Sequence, residues 1–147
     1  LGKPKVVKVL PFESHTAGLG IQGNYAYLGR IVSTKSTAEG YAQVAVFEVI
    51  DISKPVAATV IGSVELPTML KGIAVDGATA FVIGAFPYRL TPIDIGNPTQ
   101  PKIIPSAESI IGNSDLQDIV IDKGYAFLGD GIAGLRVVNV TNLANPK

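Results

Sequence analysis

Cysteine is absent from the 147 residues, which excludes disulfides, thiolate metal sites and cysteine nucleophiles. Histidine occurs once, at His15, and one imidazole without a second histidine or a thiolate builds no zinc site from this chain. Charge is scarce at 16% of residues, against about 25% in an average soluble domain. The twelve basic residues cancel the twelve acidic ones, so no net field draws the chain to nucleic acid or to an anionic membrane. No run approaches the ~18 apolar residues of a membrane helix, and the longest, such as Ala80–Phe86, have strand length and contain glycine. Also missing are G-x-S-x-G, H-E-x-x-H, a P-loop and a basic-aromatic stripe. The sequence therefore assigns no catalytic residue, no metal ligand and no cofactor. Leu1 is not a start methionine and no charged-then-apolar leader precedes it, which reads as a chain processed, excised or incomplete at its N-terminus.

What is present is internal repetition. Gly23-Asn24-Tyr25-Ala26-Tyr27-Leu28-Gly29 returns as Gly77-Ala78-Thr79-Ala80-Phe81-Val82-Ile83-Gly84 and as Lys123-Gly124-Tyr125-Ala126-Phe127-Leu128-Gly129. The central alanines stand 54 and 46 residues apart. A second line, Val49-Ile50-Asp51-Ile52-Ser53-Lys54-Pro55, returns as Pro92-Ile93-Asp94-Ile95-Gly96-Asn97-Pro98 and Val138-Asn139-Val140-Thr141-Asn142. Its spacings are 43 and 45 residues, a period shared by propeller blades and helical repeats.

Residue types decide between these two architectures. Ile119-Val120-Ile121 and Val137-Val138-Asn139-Val140 are short β-branched runs bounded by Gly, Asp and Asn, the pattern of strands. Sixteen glycines and ten prolines interrupt every stretch long enough to be a helix. Several runs are apolar at consecutive positions, as in strands covered on both faces, and stacked blades supply that cover. The third copy predicts strands Gln117–Asp122, Tyr125–Gly129 and Leu135–Val140, joined by turns at Lys123-Gly124 and Asp130–Gly134. Fourth strands are expected at Thr59–Val64 and Lys102–Ile104, and Arg30–Gln43 is expected as a long loop in the first copy.

Gly-x-Tyr-Ala-Tyr, followed by Leu135-Arg136-Val137-Val138-Asn139-Val140 and Asn145-Pro146-Lys147, resembles the LVIVD family of bacterial and archaeal β-propeller repeats. Asn139 stands where that family has aspartate, and Leu90-Thr91-Pro92 makes the second copy the weakest. The resemblance implies an all-β propeller segment acting as a binding or interaction scaffold, extracellular or at the cell surface, with the cytoplasm still open. It carries over no catalytic residue. Two alternatives stay open: the propeller portion of a larger enzyme, and a structural subunit assembling head to tail.

The expected organisation is three four-stranded antiparallel blades belonging to a larger ring. Residues 1–10 form the outer strand of a preceding blade, 11–66 the first blade, 67–110 the second, and 111–147 a third lacking its outer strand. Pro4-Lys5, Pro101-Lys102 and Pro146-Lys147 mark the same phase of the repeat. Three blades fall short of the about four to eight of a closed propeller, so the expected partners are further blades, from more chain or from a second copy. A protein or small-molecule ligand of unknown kind is a further partner.

Candidate ligand-binding residues cluster at one repeat position. His15, Met69 and Asp115 all fall just before an innermost strand, where a propeller's channel rim lies, and Asp118 follows Asp115 closely. With Glu13 the two aspartates have the chemistry to bind calcium or a cationic group, but their spacing matches no calcium loop, so they read as solvated loop carboxylates. Arg30, Lys35, Glu39 and Tyr41 fall in or beside the expected loop, where binding residues collect. Gly18-Leu19-Gly20-Ile21-Gln22-Gly23 spells G-x-G-x-x-G but leads into a strand, so it reads as repeat-turn glycines rather than a dinucleotide site. Asn139-Val140-Thr141 spells a glycosylation sequon at a strand end.

Overall fold

The computed structural model describes residues 3–37, 40–85, 88–105 and 115–143, with side chains omitted at 33–43. Among these residues there is no α-helix. The strands run β1 (His15–Gln22), β2 (Tyr25–Thr37), β3 (Gly40–Asp51), β4 (Thr59–Leu66), β5 (Met69–Asp76), β6 (Thr79–Ala85), β7 (Arg89–Asp94), β8 (Lys102–Ile103), β9 (Leu116–Asp122), β10 (Tyr125–Asp130) and β11 (Leu135–Asn139). They form three antiparallel meanders, β1-β2-β3-β4, β5-β6-β7-β8 and β9-β10-β11. These are three propeller-type blades, the third with three strands among the described residues. The strands expected within the three copies are met to within two residues at each end.

The repeated motif owes its constancy to a turn. Tyr25 pairs with Asp51, Thr79 with Asp94 and Tyr125 with Asn139, so each Asp or Asn ends the third strand of its blade. There its Oδ1 accepts a hydrogen bond from the backbone N–H two residues on: Ser53 at 2.8 Å, Gly96 at 2.8 Å and Thr141 at 2.9 Å. This Asx turn needs an oxygen rather than a charge, so Asn139 serves where the family has aspartate. The intervening residue donates to the neighbouring hairpin, Ile52 to the Asn24 carbonyl, Ile95 to Ala78 and Val140 to Gly124. Those hairpins are two-residue turns. Gly23 and Gly77 have φ of 57° and 56° at the first central position, whereas both Lys123 (48°) and Gly124 (79°) are left-handed in the third. These are the II′ and I′ patterns that match strand twist.

Blades stack through alternate side chains of each sheet. Tyr27, Ala45, Phe47, Val49 and Leu66 of the first blade meet Leu70, Ile73, Ala80, Val82 and Ile93 of the second. The Tyr27 and Phe47 rings stack at 5.8 Å. On its other side the second blade presents Phe81, Ile83 and Leu90 to Leu116, Ile119, Ala126, Leu128 and Val138 of the third. Strand β6 is thus buried on both faces, which is why Ala80–Ala85 reads as an unbroken small and apolar run. Gly29 permits the first contact, since a Cβ there would collide with Leu70 and the Ala17 carbonyl.

One expectation is corrected. Arg30–Gln43 is not a loop: β2 and β3 stay paired from Ser33↔Val44 to Thr37↔Gly40, past a bulge at Val32. Serine and threonine there suggested a loop, but backbone pairing carried on from the blade extends the hairpin, and threonine is a good strand former. β1 reaches only Ile31 and β4 only Ala45, so this stretch is a two-stranded ribbon projecting beyond the sheet. Lys5–Leu10, expected as the outer strand of a preceding blade, pairs with no strand of this chain, and Val6, Val7 and Val9 are exposed. Its counterpart in the repeat scheme is the edge of a third strand such as β11, which has no outer neighbour among the described residues. Pro146-Lys147 and the junction at 110/111 lie outside the described residues.

Candidate functional site

Strands β1 and β5 lie side by side, as do β5 and β9, one from each blade. β1 begins at His15 opposite Ile31, β5 at Met69 opposite Ala85, and Asp115 immediately precedes Leu116, opposite Asp130. The three residues therefore stand at the same end of three neighbouring strands. His15 and Asp115 are exposed and Met69 is half-buried. Asp118 is exposed farther along β9, opposite Gly129, just past the bulged Gln117. Asp115 Oδ1 accepts a bond from Gln117 Nε2 at 2.6 Å, and Asp118 Oδ1 accepts from the Ile119 N–H at 2.8 Å. Among the described residues no three His, Asp or Glu side chains converge as metal ligands, so Glu13, Asp115 and Asp118 gain no support as a cation site.

Behind this rim lies a feature the sequence reading missed. In the first blade Arg30 on β2 meets Glu48 on β3, Nη2 to Oε1 at 2.5 Å. In the third, Asp130 on β10 meets Arg136 on β11, with Nε at 2.9 Å and Nη2 at 2.6 Å from Oδ2. Arg30 and Asp130 both lie five residues after the first tyrosine of their strand. Glu48 and Arg136 both lie opposite the leucine of the motif, Leu28 and Leu128. The two blades thus carry the same ion pair with its charges exchanged. In the second blade Gly84 takes the place of Arg30, Thr91 that of Glu48, and Thr68 packs where a Gly84 side chain would stand. Thr68 Oγ1 donates to the Ala85 carbonyl at 3.0 Å.

Each of these groups also holds the start of an inner strand. Arg30 Nη1 donates to Ser14 Oγ at 3.1 Å, next to His15, and its guanidinium lies 4.7 Å over the Phe12 ring. Thr68 immediately precedes Met69. Asp130 Oδ1 accepts the Asp115 N–H at 2.9 Å, and the turn Gly131–Ala133 is closed by Asp130 N–H to Gly134 O at 2.8 Å. The signal in sequence was the charged residue five after each tyrosine, which becomes a pair only once strand register is known.

The remaining candidates sort by place. Lys35 and Tyr41 lie on the ribbon, which projects from this same end, and Glu39 lies outside the described residues. Of the glycine cluster, Gly18 and Gly20 face Ile73 of the second blade and Gly23 makes the hairpin turn, so their role is packing and turning. Asn139 Oδ1 is engaged by Thr141 Oγ1 at 2.7 Å as well as by its N–H. At the same far end, Asp51 is held below the usual carboxylate range by the Ser53 side chain and then by its backbone N–H. Tyr27 is pushed up by burial, with Tyr25 adding to the effect.

Comparison with known proteins agrees with this geometry. No curated protein matches the chain. Residues 35–65, which contain β3, the Asx turn and all but the last residue of β4, match the LVIVD repeat, and so do residues 114–147, which contain the third blade. With the motif aspartate explained by its turn and the copies folded as propeller-type blades, these two segments of the chain are LVIVD repeats.

Proposed function

We propose that this chain is a binding scaffold whose ligand face is the end of the blades bearing His15, Met69, Asp115 and Asp118. One observation carries the reading: the three blades are alike at one end and different at the other. At the far end all three repeat the same Asx turn, locked to a two-residue hairpin. At the rim end the same positions hold His, Met and Asp, backed by Arg30–Glu48, by Thr68 and by Asp130–Arg136, and a ribbon stands on the first blade alone. A frame kept constant by its turns, with chemistry varied at one end, is how repeat scaffolds present a surface. An imidazole, a thioether and two carboxylates suit a small ligand with hydrogen-bond donors and an apolar edge.

The test is a nuclear magnetic resonance fragment screen against the whole chain, with cationic, polyhydroxylated and amide fragments as probes. Shift changes gathered at His15, the Met69 methyl, Asp115 and Asp118 are expected. Changes gathered instead at Ser53, Gly96 and Thr141 would overturn the proposal. The resemblance to LVIVD repeats supports a location at the cell surface or outside the cell, and fractionation of the native host with an antibody to the chain tests it.

A further inference from the structure

The two outermost faces of the chain are the two halves of a contact that it already makes twice. Every blade has a face that carries the motif alanine and leucine and an opposite face that carries the aromatic residue between them. The aromatic face of the first blade packs on the alanine–leucine face of the second, and the same relation joins the second to the third. Among the described residues no blade covers the alanine–leucine face of the first blade, where Leu10 and Phe12 shelter Ala26 and Ile50, or the aromatic face of the third.

Both uncovered faces are built for burial. On the first blade Leu19 pairs with Leu28 and Ile21 with Ala26. In the second blade those positions are Ile73 and Val75, and in the third Ile119 and Ile121, each covered by the preceding blade. Leu19 is 61% exposed against 7% and 5% for its counterparts Ile73 and Ile119, and Ile21 is 62% exposed where Val75 and Ile121 are half-buried. On the third blade the open face carries Val120, Phe127, Leu135 and Val137, the last at 50% exposure. An apolar face of this kind marks an interaction surface.

A polar observation points the same way. Asp130–Arg136, which lies on the covered alanine–leucine face, is bonded through two guanidinium nitrogens. Arg30–Glu48, at the same position on the first blade, leaves Arg30 Nε and Glu48 Oε2 buried with no partner. A third observation is the strand edge. β11 has no outer neighbour among the described residues, and Lys5–Val9, which carries three valines, is exposed and pairs with no strand. Leu10 and Phe12 already lie against Ala26 and Ile50, at the seam that Leu66 occupies between the first two blades.

We infer that the aromatic face of the third blade of one copy packs on the alanine–leucine face of the first blade of a second copy. The second copy's Lys5–Leu10 adds beside β11 as the missing outer strand. The register follows from the second blade, where Asp94 pairs with Lys102 and Ile93 with Ile103. By the phase match of Pro4-Lys5 with Pro101-Lys102, Asn139 pairs with Lys5, Val138 with Val6 and Val137 with Val7. The contact is head to tail, and two copies joined by two such contacts make a ring of about six blades.

The absence of cysteine makes the contact directly testable. Val7→Cys and Val137→Cys chains are made separately, mixed and mildly oxidised, since directly paired strand residues fall within the ~4.4–6.8 Å Cα separation of a disulfide. The expected product is a heterodimer containing one chain of each kind, in large excess over either homodimer, and the unmodified chain sediments as two copies. A chain carrying both cysteines is expected to give a closed covalent dimer. Four results would overturn the inference: an unmodified chain that sediments as a monomer, no heterodimer, homodimers in equal amount, or an intramolecular disulfide in a monomer. Sedimentation of the unmodified chain keeps the test decisive should either variant fail to fold.

Discussion

Removing Arg136 should harm the fold more than removing its partner Asp130, because the two ends of the pair are unequally buried. The Asp130 carboxylate is 1% exposed, whereas the Arg136 guanidinium is 39% exposed. Arg136→Met leaves a carboxylate in the seam between the second and third blades without its charge partner. Loss of one partner from a buried pair costs about 3–5 kcal/mol. Asp130→Ala leaves instead a guanidinium that water can reach and the Asp115 N–H at an exposed residue, so its loss is nearer the about 1.5–3 kcal/mol of a hydrogen bond to a charged group. Asp130→Leu combined with Arg136→Met leaves neither charge behind and should lie within about 1–2 kcal/mol of the parent. Urea unfolding followed by circular dichroism measures all three. With a slope of about 2 kcal/mol/M, Arg136→Met lowers the midpoint by ~2 M and Asp130→Ala by ~1 M. Equal losses, or the reverse order, would refute the burial argument. A double variant as unstable as Arg136→Met would show that the pair does more than neutralise itself.

Three further outcomes follow from the same geometry. In hydrogen exchange, amides of Ser33–Thr37 and Gly40–Val44 should be slowed well beyond unfolded-chain rates yet less than Ile119–Ile121, because a two-stranded ribbon lacks flanking strands; coil-like exchange would restore the loop reading. Asn139→Asp should leave stability within about 0.5 kcal/mol, since the acceptor oxygen stays, while Asn139→Ala should lose about 1 kcal/mol by urea unfolding. Because Asp51 is more acidic folded than unfolded, its contribution is complete above the unfolded value and is lost as pH falls through the lowered folded value. The Ser53 amide resonance should therefore titrate below the usual carboxylate range while that of Thr141, held by the Asn139 amide, stays fixed.

The sequence by itself determined the blades. Local rules are enough for that: period-two and continuous apolar runs make strands, Gly23, Gly77 and Gly124 make two-residue turns, and an Asp or Asn at the third strand's end makes an Asx turn. Each acts within a few residues, so each repeats visibly at the period of the copies. The candidate rim was legible for the same reason, because His15, Met69 and Asp115 share one phase of the repeat. The ribbon was not, since polar serine and threonine signal a loop locally and only pairing across the hairpin makes Ser33–Thr37 a strand. The exchanged ion pairs were not legible either. Arg30 and Glu48 are brought together by the register of β2 on β3, and Asp130 and Arg136 by that of β10 on β11, so neither pair exists until two strands are laid side by side. Tertiary structure alone decided which faces are covered. Ile73 and Leu19 occupy equivalent positions with equivalent chemistry, and Ile73 is buried because the first blade packs over it, whereas no described residue covers Leu19 in the same way.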